Sequence, residues 1–441
     1  MTPSVIVLGG GLSGCSAAYA LAQAGLCVSV VERAPTLGGL AGSFEREGHF
    51  YPLGYHHILR RDRTLLYFLA RIGALEQVRW RRIRMLFRVG DQLYDLANPV
   101  DFLRFPMSLA DKARFAVLML RAFRKNDWND WLDKSAEDLL DAWAGPRVRQ
   151  ALFEPLTQLK FELPCSEVSG AWLGTRLQFR EGSTALGYIP GANWTQVLCD
   201  GVARLLRESG VEVRLGTNVA KLHADGERVH EVELDSGERL PADMVVSSIP
   251  TEGYLGLAPD DTTPRLREIR YSALLSMVCA SNNPVSPDFY WMNLADLDRA
   301  ACGIFLLNSL NPTIGAPGQS CVNFVTHLNS RTRPFFMKSE DDILAAYLED
   351  FRAVFGFDLD PFWVKLSRIP MYSPVITRSY RNPPVRSARF DNLYFAGNYR
   401  TFPSVLSTGT ALASGLHAAR ALLRDRGTDT PLPDEVAAFR P

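Results

Sequence analysis

The first apolar run, residues 4–8 (SVIVL), is short and β-branched, the pattern of a strand buried on both faces. Glycines follow at once, then CSAAYALAQA (15–24), small and helix-prone, closed by Gly25. A second strand, residues 27–31, ends in Glu32. Strand, glycine turn, helix and strand make a βαβ unit, which predicts an α/β fold with a parallel sheet. Further on, WTQVLCDGVARLLRES (194–209) predicts a helix closed by Gly210, followed by an alternating strand at 211–215. Asp225-Gly226 and Ser236-Gly237 predict two hairpins, and 242–246 leads into another strand. NLYFAGN (392–398) reads as a strand ending in glycine, after which Pro403-Ser404-Val405 opens a helix predicted over 405–424. That helix contains Gly409 and Gly415. An interior glycine costs about 1 kcal/mol against alanine, so both imply the close approach of another group.

The intervening segments are patterned differently. Ser108 and Asp111 have capping-box spacing; Ser135 is expected to cap a helix ending near Gly145-Pro146, and Ser339 one ending near Gly356. Strands are expected near 271–280, 302–307 and 321–326. In LADKARFAVLMLRAFRK (109–125), Phe115, Met119 and Phe123 form a stripe with Leu109, Ala116 and Leu120, opposite Asp111, Arg114, Arg121 and Lys125. This amphipathic helix packs on its own domain or lies in a membrane interface.

Composition narrows the classes. The chain has 441 residues, 47% of them hydrophobic and 22% charged, which excludes wholesale disorder. Lys plus Arg and Asp plus Glu are 48 each, so a dedicated nucleic-acid binder is not expected. The seven cysteines are scattered without CxxC spacing, and no His or Cys set has metal-ligand spacing, so neither a disulfide framework nor a metal site is expected. With no leader pattern and no 18-residue apolar run, the expectation is a cytoplasmic protein, soluble or attached to a membrane surface. Charge is uneven, however. Arg60, Arg61, Arg63, Arg71, Arg79, Arg81, Arg82, Arg84 and Arg88 face only Asp62 and Glu76 in that stretch. A solvated basic face, an anion site for a carboxylated or phosphorylated substrate, and a membrane-surface patch all fit.

The glycines carry the chemistry. Gly9, Gly11 and Gly14 form GxGxxG between strand and helix, with Leu12 and Ser13 inside it and Glu32 at the end of the next strand. Gly9 allows the tight turn, Gly11 lets the backbone approach a pyrophosphate, and Gly14 lets helix and strand pack closely. Glu32 can accept hydrogen bonds from an adenosine ribose. Arg33 and a second glycine turn, Gly38-Gly39-Leu40, go beyond what NAD needs and suit FAD.

GGGLSG…VVERAPTLGGLAG resembles the N-terminal signature of the flavin-dependent amine oxidase superfamily, which includes amine oxidases, protoporphyrinogen oxidases, phytoene-type desaturases and, more distantly, UDP-galactopyranose mutases. The resemblance implies a Rossmann-type FAD-binding domain, layered ββα, cut into three pieces (1–59, 191–254, 386–425). They are interleaved with a substrate domain of mixed sheet and helices (60–190, 255–385), and a tail follows at 426–441. It implies that the backbone of Val219 meets the adenine, and that Gly397 and Asn398 lie by the ribityl chain, where the family commonly has an acidic residue. Ser404, Val405 and Gly409 would lie where a helix N-terminus meets the flavin pyrimidine edge. With no cysteine beside Gly397, FAD is expected to be non-covalent. Gly54-Tyr55-His56-His57 resembles the turn that lines the flavin ring, most closely in the mutase branch, and makes His56, His57 and Tyr55 the catalytic candidates; an imidazole there serves as acid or base near neutral pH. Tyr290, Trp291, Trp363, Tyr372 and Tyr380 are either pocket walls or core.

The expected function is an FAD-dependent oxidoreductase that moves hydride from a C–H bond of a small-molecule substrate, carboxylated, phosphorylated or apolar, to flavin N5. Two alternatives stand beside it: a mutase-like isomerase without net redox, although the paired tyrosine pattern of the mutases is missing, and an accessory flavoprotein at a membrane surface. Self-association as a homodimer stays open.

Overall fold

A computed structural model describes residues 2–180, 185–285, 289–294 and 299–428. Of the expected tail at 426–441, residues 429–441 lie outside them. The fold is mixed α/β.

One sheet is parallel throughout and has five strands, in the order Leu393–Phe395, Met244–Ser247, Ser4–Leu8, Cys27–Val31, Glu212–Arg214. Its strands come from three distant stretches of chain. Alternation along the first strand explains its layering. Val5 and Val7 face a core shared with the first helix (Leu12–Gln23), the helix Trp194–Glu208 and the closing helix (Thr408–Asp425). Ile6 and Leu8 face the other way, toward Leu222, Val232 and Leu240 of a three-stranded antiparallel sheet, Val219–Asp225, Arg228–Leu234 and Arg239–Pro241. Both expected hairpins are its turns.

The second large sheet has seven strands, in the order Pro361–Pro374, Tyr271–Ser281, Ser320–Leu328, Gly303–Leu306, Trp291–Leu294, Met85–Val89, Gln92–Asp95. Tyr271–Ser281 is buried along its whole length. Its odd-numbered Ala273, Leu275, Met277 and Cys279 pack with Ile343, Tyr347 and Phe351 of the helix Glu340–Phe355. Its even-numbered Leu274, Val278 and Ala280 face Tyr51, Trp291 and Phe305, with Tyr55 at their edge. This second face covers the Gly54 turn: a Cβ on Gly54 would lie 3.7 Å from Leu274.

The caps at Ser108, Ser135 and Ser339 are as expected; each hydroxyl accepts the N–H three residues on, and Gly356 ends the last of these helices in the left-handed region. The closing helix is a correction. It begins at Thr408, not at 405, because Ser407 and Thr410 form a capping box that fixes the start three residues after Val405. Ser404 and Val405 lie in the preceding loop. The stripe of Phe115 and Met119 packs on the protein's own core.

Candidate functional site

Two glycine turns are stitched together. The Gly38 N–H donates to the Gly10 carbonyl at 2.8 Å, and Gly11 pairs with Gly38 as an isolated parallel bridge. Gly9 has φ +99°. A Cβ on Gly14 would lie 2.0 Å from the Gly9 carbonyl oxygen, whereas one on Gly11 would meet no protein atom within 4 Å. Packing therefore requires glycine at Gly14, while Gly11 opens onto a cradle that a Cβ would partly fill. Gly11 is the N-cap of the first helix; it brings no capping side chain, and no acid stands in the first turn. The first N–H groups of that helix thus point at the cradle, a geometry suited to a pyrophosphate.

The remaining cradle residues gather around these turns. Glu32 accepts the Gly10 N–H at 2.6 Å and the Ala34 N–H at 2.7 Å, one on each oxygen. Its carboxylate thus braces the loop, and each oxygen keeps a lone pair for a ribose hydroxyl. Arg33 and Gly39 are exposed, and Leu40 is half-buried in the short Gly39–Ala41 turn. The approach to Val219 runs beside Glu32: the Thr217 N–H donates to the Glu32 carbonyl at 3.0 Å. On the other side of the sheet centre, Gly397 exchanges hydrogen bonds with the Ser414 hydroxyl of the closing helix, at 3.0 Å each way. The Asn398 amide donates to the Tyr372 carbonyl at 3.0 Å, which leaves its oxygen as an acceptor.

The closing helix lies across the start of the first helix. The Ser13 hydroxyl donates to the Ala411 carbonyl and the Ser16 hydroxyl to the Leu412 carbonyl, both at 2.8 Å. The close approach implied by its glycines is by the chain itself: a Cβ on Gly415 would lie 1.9 Å from the Ser13 carbonyl oxygen, and one on Gly409 would lie 1.6 Å from the Asp62 carboxylate. Asp62 is buried within the arginine-rich stretch and joins two helix starts. It accepts the Leu65 N–H in the helix Arg63–Arg71 and the Ser407 hydroxyl at the closing helix. Burial raises its pKa from the usual 3.8 to about 6, against the lowering effect of those donors. Sequence reasoning missed Asp62; its one signal was a lone acid among arginines.

Four of the nine arginines have separate partners. Arg60 lies over Trp80, Arg61 over Phe123, Arg71 donates to the Tyr19 hydroxyl, and Arg88 pairs with Asp91.

At the Gly54 turn, His56 Nδ1 lies 2.9 Å from the Gly54 carbonyl. A carbonyl can only accept, so Nδ1 carries the proton and Nε2 is left as an acceptor. Desolvation holds this imidazole below its ordinary pKa of 6.5, neutral at pH 7. Tyr55 stacks on Phe305 with centroids 4.3 Å apart, and His57 stacks on Trp291 at 5.8 Å. The Tyr55 hydroxyl is 3.3 Å from His327 Nε2, and the His327 ring neighbours Tyr372 at 5.6 Å. Of the five aromatic candidates, Tyr290, Trp291 and Tyr372 thus border this cluster. The other two take the core alternative: Trp363 packs against Tyr51 and Phe44, and Tyr380 is buried with its hydroxyl on the Tyr399 carbonyl. His327 and Phe305 were missed, since each is one residue in an otherwise ordinary strand pattern. Beside His56, a small cavity is bounded by Tyr55, Tyr188, Trp194, Tyr290 and Leu310.

Comparison with known proteins agrees with this geometry. The family model for flavin-containing amine oxidoreductases matches residues 12–423. The chain is similar to a 15-cis-phytoene desaturase of Solanum lycopersicum, 21% identical over 96% of this chain and 78% of the relative. It is also similar to a coproporphyrinogen III oxidase of Mycobacterium tuberculosis, 25% identical over 85% of this chain and 88% of the relative. Among solved structures, reduced UDP-galactopyranose mutase superposes with a TM-score of 0.73 at 14% identity, over 99% of this chain and 98% of that one, a likeness of fold alone. The chain belongs to the flavin-containing amine oxidoreductase family. It is an FAD-dependent oxidoreductase.

Proposed function

We propose that the protein dehydrogenates a small organic substrate held against the aromatic cluster of Tyr55, His57, Trp291 and Phe305. The observation that carries this reading is the continuity of that cluster with the Gly54 turn, against one face of the seven-stranded sheet. FAD, bound without a covalent link, supplies the hydride acceptor at N5. The residues of the chain do the rest. The N–H groups after Gly11 hold the pyrophosphate, Glu32 the ribose, and Asn398 the ribityl chain. The aromatic faces orient the reacting C–H bond and exclude water. His56 Nε2 is the group able to take up a proton. We read the parallel sheet with its flanking layers as a Rossmann-type flavin domain in the pieces 1–59, 191–254 and 386–425, and the rest as the substrate domain.

The named activities of the desaturase and coproporphyrinogen oxidase relatives, both oxidative, support dehydrogenation over isomerisation. A sugar-nucleotide mutase also needs cations gathered on a diphosphate, whereas Arg60, Arg61 and Arg71 are engaged with Trp80, Phe123 and Tyr19. The test is anaerobic titration of the FAD-loaded protein with phytoene-like polyenes, porphyrinogens and primary amines. Bleaching of the flavin by one class names the substrate. Turnover of UDP-galactopyranose by the reduced protein without net electron transfer would replace this reading with the mutase one.

A further inference from the structure

Ten large apolar side chains are exposed among the described residues, and five of them fall within 100–120: Val100, Leu103, Leu109, Val117 and Leu120. They sit on two neighbouring helices, Pro99–Arg104 and Leu109–Arg124. The helices are joined by Lys112, whose amine donates to the Leu103 carbonyl at 2.6 Å, and by Phe102 against Phe115. On the longer helix, Leu109, Ala113, Ala116, Val117 and Leu120 recur at i, i+4, i+7, i+8 and i+11, a single face, and all five are exposed. This is not the stripe of Phe115 and Met119, which packs inward with Leu118 and Ala122. The helix is therefore apolar on two sides, and only one of them is covered by the chain.

The charges choose the occupant. On these two helices every exposed charged side chain is an arginine: Arg104, Arg114, Arg121 and Arg124. Asp111 is buried beneath Ser108 and Arg114, and Asp101 is half-buried. Arg61 lies over Phe123 at the far end and extends the basic rim. A chain of zero net charge thus concentrates positive charge around an aliphatic face without exposed aromatic rings. Protein–protein anchors are enriched in aromatics, whereas aliphatic residues flanked by Lys or Arg on a helix suit the headgroup boundary of an anionic bilayer.

We propose that the face of Val100, Leu103, Leu109, Val117 and Leu120, rimmed by arginines, docks the protein on an anionic membrane surface. This docking is independent of the reaction proposed above. The test is flotation of the full-length FAD-loaded protein with vesicles of mixed phosphatidylcholine and phosphatidylglycerol, against pure phosphatidylcholine. The wild type floats with the anionic vesicles, and less so at high salt. The double variant Leu109→Glu/Leu120→Glu loses at least about 10-fold in partitioning, since even one leucine side chain accounts for that much on burial. Its FAD content and melting temperature stay unchanged, because both residues are exposed. Arg121→Gln/Arg124→Gln weakens binding to anionic vesicles only. A wild type that does not float, or a Leu109→Glu/Leu120→Glu variant that floats as well as the wild type, overturns the proposal. So does a concentration-dependent dimer, seen by sedimentation and dissolved by that variant, in a protein that ignores vesicles; the occupant is then a second copy.

Discussion

The Gly9–Gly14 loop and the closing helix Thr408–Asp425 both depend on glycine, for different reasons. In the helix, the chain itself accounts for each glycine: the Ser13 carbonyl excludes a side chain at Gly415, and the Asp62 carboxylate excludes one at Gly409. In the loop, the Gly9 carbonyl accounts for Gly14, but no chain atom accounts for Gly11. A glycine forced by packing and one kept for a ligand look the same in sequence. They separate only when a Cβ is set on the backbone and its neighbours are counted. The helix is thus a structural strut and the loop a binding surface, and variants at each should fail in different assays.

The largest effect is expected at the strut. Gly415→Ala drives a methyl into backbone, so the protein loses about 3 kcal/mol or more of stability, overpacking against backbone being the costly case. Thermal melting with and without FAD checks this, and an unchanged melting temperature would break the comparison. Next is Asp62→Asn. The folded pKa of about 6 lies above the usual 3.8, so between those values the folded state holds a proton that the unfolded state has released. The stability this group contributes is full below pH about 4 and is lost as pH rises through about 6, a span worth up to about 3 kcal/mol. Measured by urea unfolding, the variant gains on the wild type by up to that amount from acid to neutral pH. Equal pH profiles would clear Asp62 of the role. His56→Ala comes third. It keeps FAD but slows anaerobic flavin reduction about 100-fold, the ordinary worth of a positioned acid–base group. Because the His56 pKa lies below 6.5, the wild-type rate should be level at neutral pH and fall only on acidification. Stopped-flow traces across pH report both.

Legibility in the sequence follows the same division. The cradle could be read because its constraints are local: GxGxxG, Glu32 and Gly38-Gly39 lie within a short stretch, and the fold keeps them adjacent. The strands and caps were readable for the same reason. Periodicity and cap residues act within a turn or two. What was not readable depends on partners far along the chain. Asp62 is defined by Ser407 and Gly409, and the Tyr55 environment by Phe305 and His327. Sequence left Trp363 and Tyr380 open between pocket wall and core, and only the structure puts them in the core, since an aromatic ring in sequence carries no sign of which side of a sheet it faces. The helix at 109–125 was read as amphipathic with one apolar stripe. The structure shows a second, formed by the exposed Leu109, Ala113, Ala116, Val117 and Leu120.

The smallest effect is the most diagnostic. Gly11→Ala adds one methyl at a residue whose backbone, φ −67° and ψ 166°, any amino acid adopts, and that methyl meets no protein atom. Relative to glycine, alanine restricts the unfolded chain by about 0.4–1 kcal/mol but is the poorer N-cap by a similar amount, so apoprotein stability should change by less than about 1 kcal/mol. FAD is another matter. If the backbone of Gly11 is what meets the pyrophosphate, a methyl there holds the ligand off by a fraction of an ångström, and affinity falls about 10-fold, or about 1.4 kcal/mol. Fluorescence titration of apoprotein with FAD, paired with urea unfolding of the same apoprotein, gives the two numbers. Weaker binding with little change in stability is the opposite of the Gly415→Ala outcome and marks Gly11 as a ligand-side glycine. A loss of apoprotein stability beyond about 1 kcal/mol, more than an N-cap change explains, would mean that the loop is shaped by packing after all, and unchanged FAD affinity would move the pyrophosphate away from Gly11.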